Sequence, residues 1–219
     1  MNLELKCLDF LSPEERELFL SKTSLVSYKN KDIIFKQNTH TSQFMIVKSG
    51  LIKIFKENRG ERNFIFKLAL ENEFIGLSSL LGSDLHYYSS SSIGDCSIYC
   101  IEKEFIKELI LKNGKFANYF LIELSKESNF FNERLLSQIT KQLPGRIADV
   151  LLYFSTDVFK STSFELPLTR KELAELAGTT KESFIRTLTE FKNDKIIDID
   201  DNVLSIRSMD IIKTLHLLG

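Results

Sequence analysis

Two charged side chains in the last quarter of the sequence can hydrogen-bond the exposed edges of base pairs. Glu182 and Arg186 are four residues apart, so on a helix they would share one face. A carboxylate accepts a hydrogen bond from the amino group of cytosine, and a guanidinium donates two to guanine. Lys181 adds a cation beside them. If a helix-turn-helix surrounds these residues, we expect them to read bases; the alternative, an exposed ion pair, would stabilise the helix by only about 0.3–0.5 kcal/mol.

Two short helices joined by a tight turn would present these side chains. Thr169–Glu172 has the spacing of a capping box, which opens a helix, and Gly178 ends that helix. Thr179–Glu182 repeats the capping pattern and opens a second helix. The pattern predicts a helix-turn-helix.

Residues around this motif could contact the phosphates of the DNA backbone. Thr169, Arg170 and Thr180 lie at the two helix starts and are expected to contact phosphates, although capping alone would also explain the threonines. Further along, Ile196–Ile199 and Val203–Ile206 flank a polar turn and predict a β-hairpin, the wing of a winged helix.

A long helix is predicted between Gly114 and Pro144, because no Gly or Pro lies between them and the apolar period is about 3.5 residues. Two sets of residues repeat every seven positions and draw a coiled-coil seam. They are Ala117, Leu124 and Phe131, and Leu121, Ser128 and Leu135. A helix that covers its own β domain would show the same pattern. The helix length of about 39 Å exceeds what one small domain needs, which favours a homodimer.

The region before this helix has a different texture. Residues 24–105 contain short apolar runs separated by turn residues, which is typical of a β-sandwich or rolled barrel. Within it, Ser89–Ser92 is predicted to be a polar loop or a strand edge. Cys7, Cys96 and Cys100 form no CxxC pair, and with only three histidines they make no metal-binding pattern.

Composition excludes several function classes. Lys and Arg number 29 and Asp and Glu 30, and residues 144–219 alone carry ten basic and twelve acidic side chains, so any DNA contact must be local. The sequence shows no signal peptide and no long apolar run, which predicts a cytoplasmic protein without membrane contact. No catalytic motif is present, which predicts that the protein is not an enzyme.

Residues 144–152 and 168–188 resemble the DNA-binding half of the Crp/Fnr family of bacterial transcription regulators. Asp32–Phe35, Phe44–Gly50 and Phe74–Gly76 resemble that family's cyclic-nucleotide-binding-like roll. The resemblance implies an α+β protein: a jelly-roll sensor domain over residues 1–112, a dimerisation helix over 113–143 and a winged helix-turn-helix over 144–219. It also implies a homodimer that binds a pseudo-palindromic operator in double-stranded DNA, with RNA polymerase as a further partner.

The sensor region departs from the family's pattern. In members that bind cyclic nucleotides, a glutamate after the glycine takes the ribose hydroxyl and a later arginine takes the cyclic phosphate. Here Leu77 follows Gly76, and His86 or Tyr87 falls where the arginine belongs. Because the loss of a charge-assisted phosphate contact costs about 1.5–3 kcal/mol, the sequence predicts that cAMP is not the effector.

One or two residues bear on each of the effectors that other members of the family use. Phe131 and Asn132 fall where cAMP-binding members offer hydroxyl groups to the adenine, which weighs against cAMP again. The iron–sulfur branch of the family needs an N-terminal cysteine cluster, of which only Cys7 is present. Three alternatives remain open: a neutral pocket that takes haem with His86 as an axial ligand, the same pocket with an uncharged metabolite, and a filled core. So does a second function, a ligand- or haem-sensing module in which DNA binding is weak or secondary.

Overall fold

The computed structural model describes residues 5–58 and 62–219, which form two compact units. The first unit contains Lys67–Phe130 and the described residues up to Glu57. The second contains Phe131–Gly219 and the described residues between Asn58 and Phe66. The first unit contains most of a six-stranded sheet and the second contains helices with a small three-stranded sheet, so the α+β class predicted from the sequence is confirmed.

A six-stranded sheet is the centre of the β region. Its strands are β1 (Thr23–Tyr28), β2 (Ile33–Phe35), β3 (Gln43–Lys56), β4 (Phe64–Ala69), β5 (Phe74–Ile75) and β6 (Ser89–Glu102). The order is β1-β6-β3-β4, with β2 also paired to β6 and β5 to β3. The long strands β3 and β6 run antiparallel from the pair Gln43 and Glu102 to the pair Phe55 and Ser89.

The prediction for Ser89–Ser92 is wrong, because these residues form the buried start of β6. All four side chains are at most 4% exposed. Ser91 pairs with Ile33 of β2 on one side and with Lys53 of β3 on the other, so the backbone is hydrogen-bonded on both sides. Ser89 Oγ accepts a hydrogen bond from Gln37 N at 3.0 Å, whereas the buried Ser90 Oγ has no hydrogen-bond partner among the described residues. A polar run can therefore lie inside a sheet.

Helices close the first unit. A 3-10 turn (Lys6–Phe10) precedes α1 (Pro13–Ser21); α2 (Leu77–Leu81), α3 (Lys103–Lys112) and α4 (Gly114–Thr140) follow. Phe19, Phe44, Phe116 and Phe120 are each at most 1% exposed, and the rings of Phe116 and Phe120 lie 4.8 Å apart. Burial of such large side chains attaches the beginning of α4 to the sheet.

The second unit contains the predicted helix-turn-helix and wing. Its helices are α5 (Leu143–Tyr153), which a π-helical turn (Phe154–Val158) extends, α6 (Arg170–Leu176), α7 (Lys181–Asn193) and α8 (Met209–Leu218). Its strands are β7 (Ser163–Glu165), β8 (Ile197–Asp200) and β9 (Val203–Ile206), in the order β7-β9-β8. The helix pair and the hairpin are confirmed; β7 is a third strand that the sequence did not predict.

Candidate DNA-binding surface and sensor site

The start of α6 is organised by Thr169. Thr169 Oγ1 accepts a hydrogen bond from Glu172 N at 3.3 Å, and the Glu172 carboxylate accepts one from Thr169 N at 3.0 Å, so the predicted capping box is present. Thr169 Oγ1 also donates to Glu172 Oε2 at 2.8 Å. The hydroxyl is thus engaged within the helix cap. Arg170, at the first helical position, is partly exposed.

The turn between α6 and α7 differs from the prediction by one residue. Gly178 has φ +65°, and Thr179 N donates to Ala174 O at 2.9 Å, which is how a helix ends at a left-handed glycine. Thr179 therefore belongs to the end of α6. The N-cap of α7 is Thr180, whose Oγ1 accepts from Ser183 N at 3.2 Å, so the second capping box predicted over Thr179–Glu182 is wrong.

The two faces of α7 have opposite character. Phe184, Leu188 and Phe191 are at most 4% exposed and pack inward. Lys181, Glu182 and Arg186 are exposed. No ion pair found within residues 5–58 and 62–219 includes any of these three. The exposed face of α7 therefore presents two cations and a carboxylate whose hydrogen-bonding groups are available to another molecule.

The wing carries acidic residues, one of which is neutralised locally. Arg207 Nη2 lies 3.0 Å from Asp198 Oδ2, and Lys192 Nζ lies 3.9 Å from its Oδ1. The hydrogen bond from Arg207 lowers the pKa of Asp198. Beside the wing, a cavity of about 270 Å³ is lined by Arg170, Ile185, Leu188, Thr189, Lys192, Ile199 and Asp201. This part of the surface combines two cations with one carboxylate.

Three side chains outside the helix-turn-helix hold its turn, and the sequence analysis missed them. Arg134 and Gln138 lie in the last part of α4, and Arg146 lies in α5. Arg134 Nη2 donates to the carbonyl of Leu176. Gln138 Nε2 donates to the next carbonyl, of residue 177, at 3.4 Å, and Arg146 Nη1 donates to Gly178 O at 3.1 Å. No sequence pattern marks these three residues, because their partners lie at least 32 positions away.

In the first unit, the predicted sensor residues are only partly brought together. Gly76, with φ +76°, precedes α2, and Leu77 is 2% exposed. A Cβ at Gly76 would lie 3.2 Å from His86 Cε1, so these residues are close neighbours. Tyr87 lies elsewhere: it is 66% exposed, and its ring faces Lys56 Nζ at 3.5 Å. Phe131 and Asn132 belong to the second unit.

The environment of His86 suits a neutral ring. The imidazole is 3% exposed and stacks on Phe35, with ring centroids 3.8 Å apart. Burial lowers its pKa from 6.5 to about 4, and the charge of Lys103 contributes. A haem iron needs open access to one imidazole nitrogen. The His86 ring is 3% exposed beside Phe35 and Gly76, so its nitrogens lack that access and the arrangement does not fit haem.

A carboxylate near this site was also missed. Glu127 of α4 is partly exposed; burial raises its pKa, the charge of Lys67 opposes that shift, and Glu73 adds to it. Lys67 Nζ is already 2.5 Å from Glu73 Oε2. Glu127 also contributes to the raised pKa of Tyr88, whose hydroxyl accepts a hydrogen bond from Gly76 N at 3.2 Å. Glu127 thus influences Tyr88 and is itself influenced by the Lys67–Glu73 pair.

The predicted seam residues lie on two sides of α4. Leu124 packs against the core of the first unit, and the ring of Phe131 lies 5.5 Å from that of Phe66; Ala117 is partly buried. Leu121 and Leu135 are 62% and 58% exposed.

Two more exposed residues lie on the same side of α4 as Leu121 and Leu135. Ser128, midway between them, is exposed, and Ile139, one turn after Leu135, is 71% exposed. This exposed face, defined by Leu121, Ser128, Leu135 and Ile139, has the spacing of a coiled-coil contact.

Within residues 5–58 and 62–219, no group of three or more His, Cys, Asp or Glu side chains could hold a metal ion, and no helix is long and apolar enough to cross a membrane. Cys7, Cys96 and Cys100 are buried and free. Burial raises the pKa of the Cys7 thiol to about 12.

Fold and surface together define a winged helix-turn-helix protein with a β domain and a long helix. Residues 25–113 match the family model of the cyclic nucleotide-binding domain, and residues 145–214 match that of the Crp-like helix-turn-helix domain. The two matches cover most of the chain. It belongs to the Crp/Fnr family of transcription regulators, as its resemblance implied.

Named relatives agree with this assignment. The chain is 24% identical over 195 residues to the transcriptional activator protein FnrA of Stutzerimonas stutzeri, which covers 87% of this chain and 79% of that protein. It is 21% identical over 170 residues to the CRP-like cAMP-activated global transcriptional regulator of Mycobacterium tuberculosis, which covers 76% of each. Among solved structures, FixK2 from Bradyrhizobium japonicum matches with a TM-score of 0.81 at 17% identity, over 88% of this chain and 96% of that chain. The match to FixK2 establishes the fold.

Proposed function

We propose that the chain acts as a homodimer, reads a specific DNA sequence through Lys181, Glu182 and Arg186, and does not respond to cAMP. The observation that supports base reading most is the exposed face of α7, where Glu182 and Arg186 lie one turn apart with their polar groups available. An ordinary surface ion pair would join the two side chains; the described ion pairs do not include them. Such a face fits a major groove.

The charge distribution is compatible with DNA despite the acidic total. Phosphate contacts supply most of the affinity of such proteins, and the cations near α7 are Arg170, Lys181, Arg186 and Lys192. Asp198 of the wing is already paired with Arg207. We propose that Arg170 contacts the backbone and that Thr169 and Thr180 serve mainly as helix caps beside it.

The experiment compares base contacts with backbone contacts. The probes are a duplex enriched from a random-sequence pool by the wild-type protein and a random duplex, each titrated at several salt concentrations. Arg186→Ala should lower affinity for the enriched duplex by about 1–3 kcal/mol and change random-duplex binding much less. Arg170→Ala should weaken both duplexes equally and reduce the salt slope by about one per half-site.

Two further variants complete the comparison. Glu182→Ala should relax sequence preference without loss of total affinity, because it removes a negative charge close to the phosphates. Lys213→Gln, which removes an exposed charge of α8, is the control for net charge and should have little effect. Parallel losses on both duplexes for Arg186→Ala and Arg170→Ala would refute base reading.

The exposed face of α4 supports the homodimer. Leu121, Leu135 and Ile139 are large apolar side chains in contact with solvent, at a spacing that buries them when a second helix packs alongside. Two recognition helices would then meet two half-sites one helical turn apart. Such a regulator would work with DNA in the cytoplasm, and the name of FnrA, a transcriptional activator, supports RNA polymerase as a further partner.

The sensor site supports independence from cAMP. Where the family pattern has a glutamate there is the buried Leu77, and the candidate replacements for the arginine are His86, whose buried ring favours the neutral form, and the outward-facing Tyr87. Glu127 brings a carboxylate to the neighbourhood. A cyclic phosphate would thus meet no fixed cation among these residues.

A further inference from the structure

The carbonyl groups at the end of α6 are a weak point that side chains must stabilise. The last carbonyls of any helix lack intrahelical donors and carry the negative end of the helix dipole. In this chain Arg134, Gln138 and Arg146 donate to the carbonyls of residues 176–178, one each. Two of the three donors are guanidinium groups, and their positive charge is favourable at the C-terminal end of a helix.

The three side chains act as a connected set, which we call the turn-holding set (Arg134, Gln138 and Arg146). Arg146 Nη1 donates to Gln138 Oε1 at 3.1 Å as well as to Gly178 O. The set packs so closely that a Cβ at Gly178 would lie 1.8 Å from Gln138 Oε1. The turn therefore has little freedom to move relative to the end of α4.

Arg134 of the turn-holding set is half-buried. Burial lowers its pKa, so desolvation of the cation has a cost, and its Nε has no hydrogen-bond partner among the described residues. A charge that is partly removed from water is weak evidence for stabilisation, and its better attested role is to fix one geometry.

We propose that the turn-holding set consists of positioning residues for DNA recognition. Thr180 and the first residues of α7 follow the held turn directly, so the direction in which Glu182 and Arg186 point is set by the end of α4. Base contacts need hydrogen bonds of about 2.7–3.2 Å with good alignment, so a small rotation of α7 weakens base reading before it weakens phosphate contact. The inference rests on the proposed DNA-binding function.

The test uses one substitution at two positions. Gln138→Glu keeps the shape of the side chain and an acceptor for Arg146, but replaces the donor to residue 177 by an oxygen that repels the carbonyl. Gln142→Glu makes the same change four residues later, at an exposed side chain without a cap hydrogen bond. Both full-length variants are titrated with the enriched duplex and with the random duplex described above.

We expect Gln138→Glu to lose about fivefold in affinity for the enriched duplex, the size of one hydrogen bond, with less than about twofold change on the random duplex. Gln142→Glu should change neither. Hydrogen exchange supplies a readout besides affinity: the amides of residues 179–183 should exchange faster in Gln138→Glu than in Gln142→Glu. If Gln138→Glu fails to fold, Arg146→Lys, which keeps the charge but loses the planar fork, replaces it with the same expectations.

Two results would overturn the inference. One is equal behaviour of Gln138→Glu and Gln142→Glu on both duplexes. The other is an equal loss on both duplexes with unchanged exchange at residues 179–183, which a general loss of stability or charge would give. Failure of the proposed function is distinguishable, because the wild-type protein would then enrich no sequence from the random pool.

Discussion

Acid should destabilise the first unit through one imidazole. His86 is buried and stacked on Phe35, and its pKa is about 4 in the folded chain. In the unfolded chain the pKa is near 6.5. Between these values the unfolded chain binds a proton that the folded chain does not, so the stability contributed by the neutral ring is fully present above pH 6.5 and falls as the pH drops toward 4. At 1.36 kcal/mol per pH unit, the loss reaches about 2.5 kcal/mol by pH 4.5.

The measurement is urea unfolding, followed by circular dichroism, at pH 7.5 and pH 4.5. Other groups also titrate in this range, so the informative quantity is the difference between wild type and His86→Gln. His86→Gln lowers stability at both pH values because the stack is lost, but should lose about 2.5 kcal/mol less than the wild type on acidification. His40→Gln, the same change at an exposed histidine, should behave like the wild type. Equal acid sensitivity of His86→Gln and the wild type would refute the assigned role of burial.

Three further outcomes are expected. Leu135→Glu on the exposed face of α4 should give monomers in sedimentation, whereas Leu111→Glu, at an 86% exposed leucine of α3, should not; monomers in neither variant would place the dimer contact elsewhere. Gly178→Ala should lower the free energy of unfolding by about 2–3 kcal/mol, from strain at φ +65° and from lost hydrogen bonds of Gln138. In a Gln138→Ala background, urea unfolding should show a smaller loss for Gly178→Ala, because only the strain at residue 178 then remains. Millimolar cAMP should leave the melting temperature unchanged, since a ligand at 100 times its dissociation constant would add about 2.7 kcal/mol; a clear upward shift would contradict our interpretation of Leu77 and His86.

Features decided within a few residues could be predicted from the sequence. Thr169 and Glu172 cap each other, and Gly178 ends α6, because the atoms involved lie within one or two turns. The wrong prediction of a capping box that begins at Thr179 also has a local cause. Two adjacent threonines could each cap α7, and the hydrogen bond from Thr179 N back to Ala174 O decides between them.

Features decided by distant partners could not be predicted. The polar composition of Ser89–Ser92 says nothing of the strands β2 and β3 that enclose it. Likewise, the seven-residue repeat draws two stripes on α4 but does not say which one faces the chain's own core. Leu124 and Leu121 look alike in the sequence, and only the packing of Leu124 on the first unit separates them.

The contacts at the turn between α6 and α7 also limit how this helix-turn-helix can be transferred to another protein. A chimera that carries only residues 169–193 into another regulator would leave Arg134, Gln138 and Arg146 behind, and the carbonyls of residues 176–178 would lose those donors. The portable piece therefore includes the last turns of α4 and all of α5. For the same reason, exchange of α7 alone between related regulators would transfer its base-contacting side chains without the angle at which they are held.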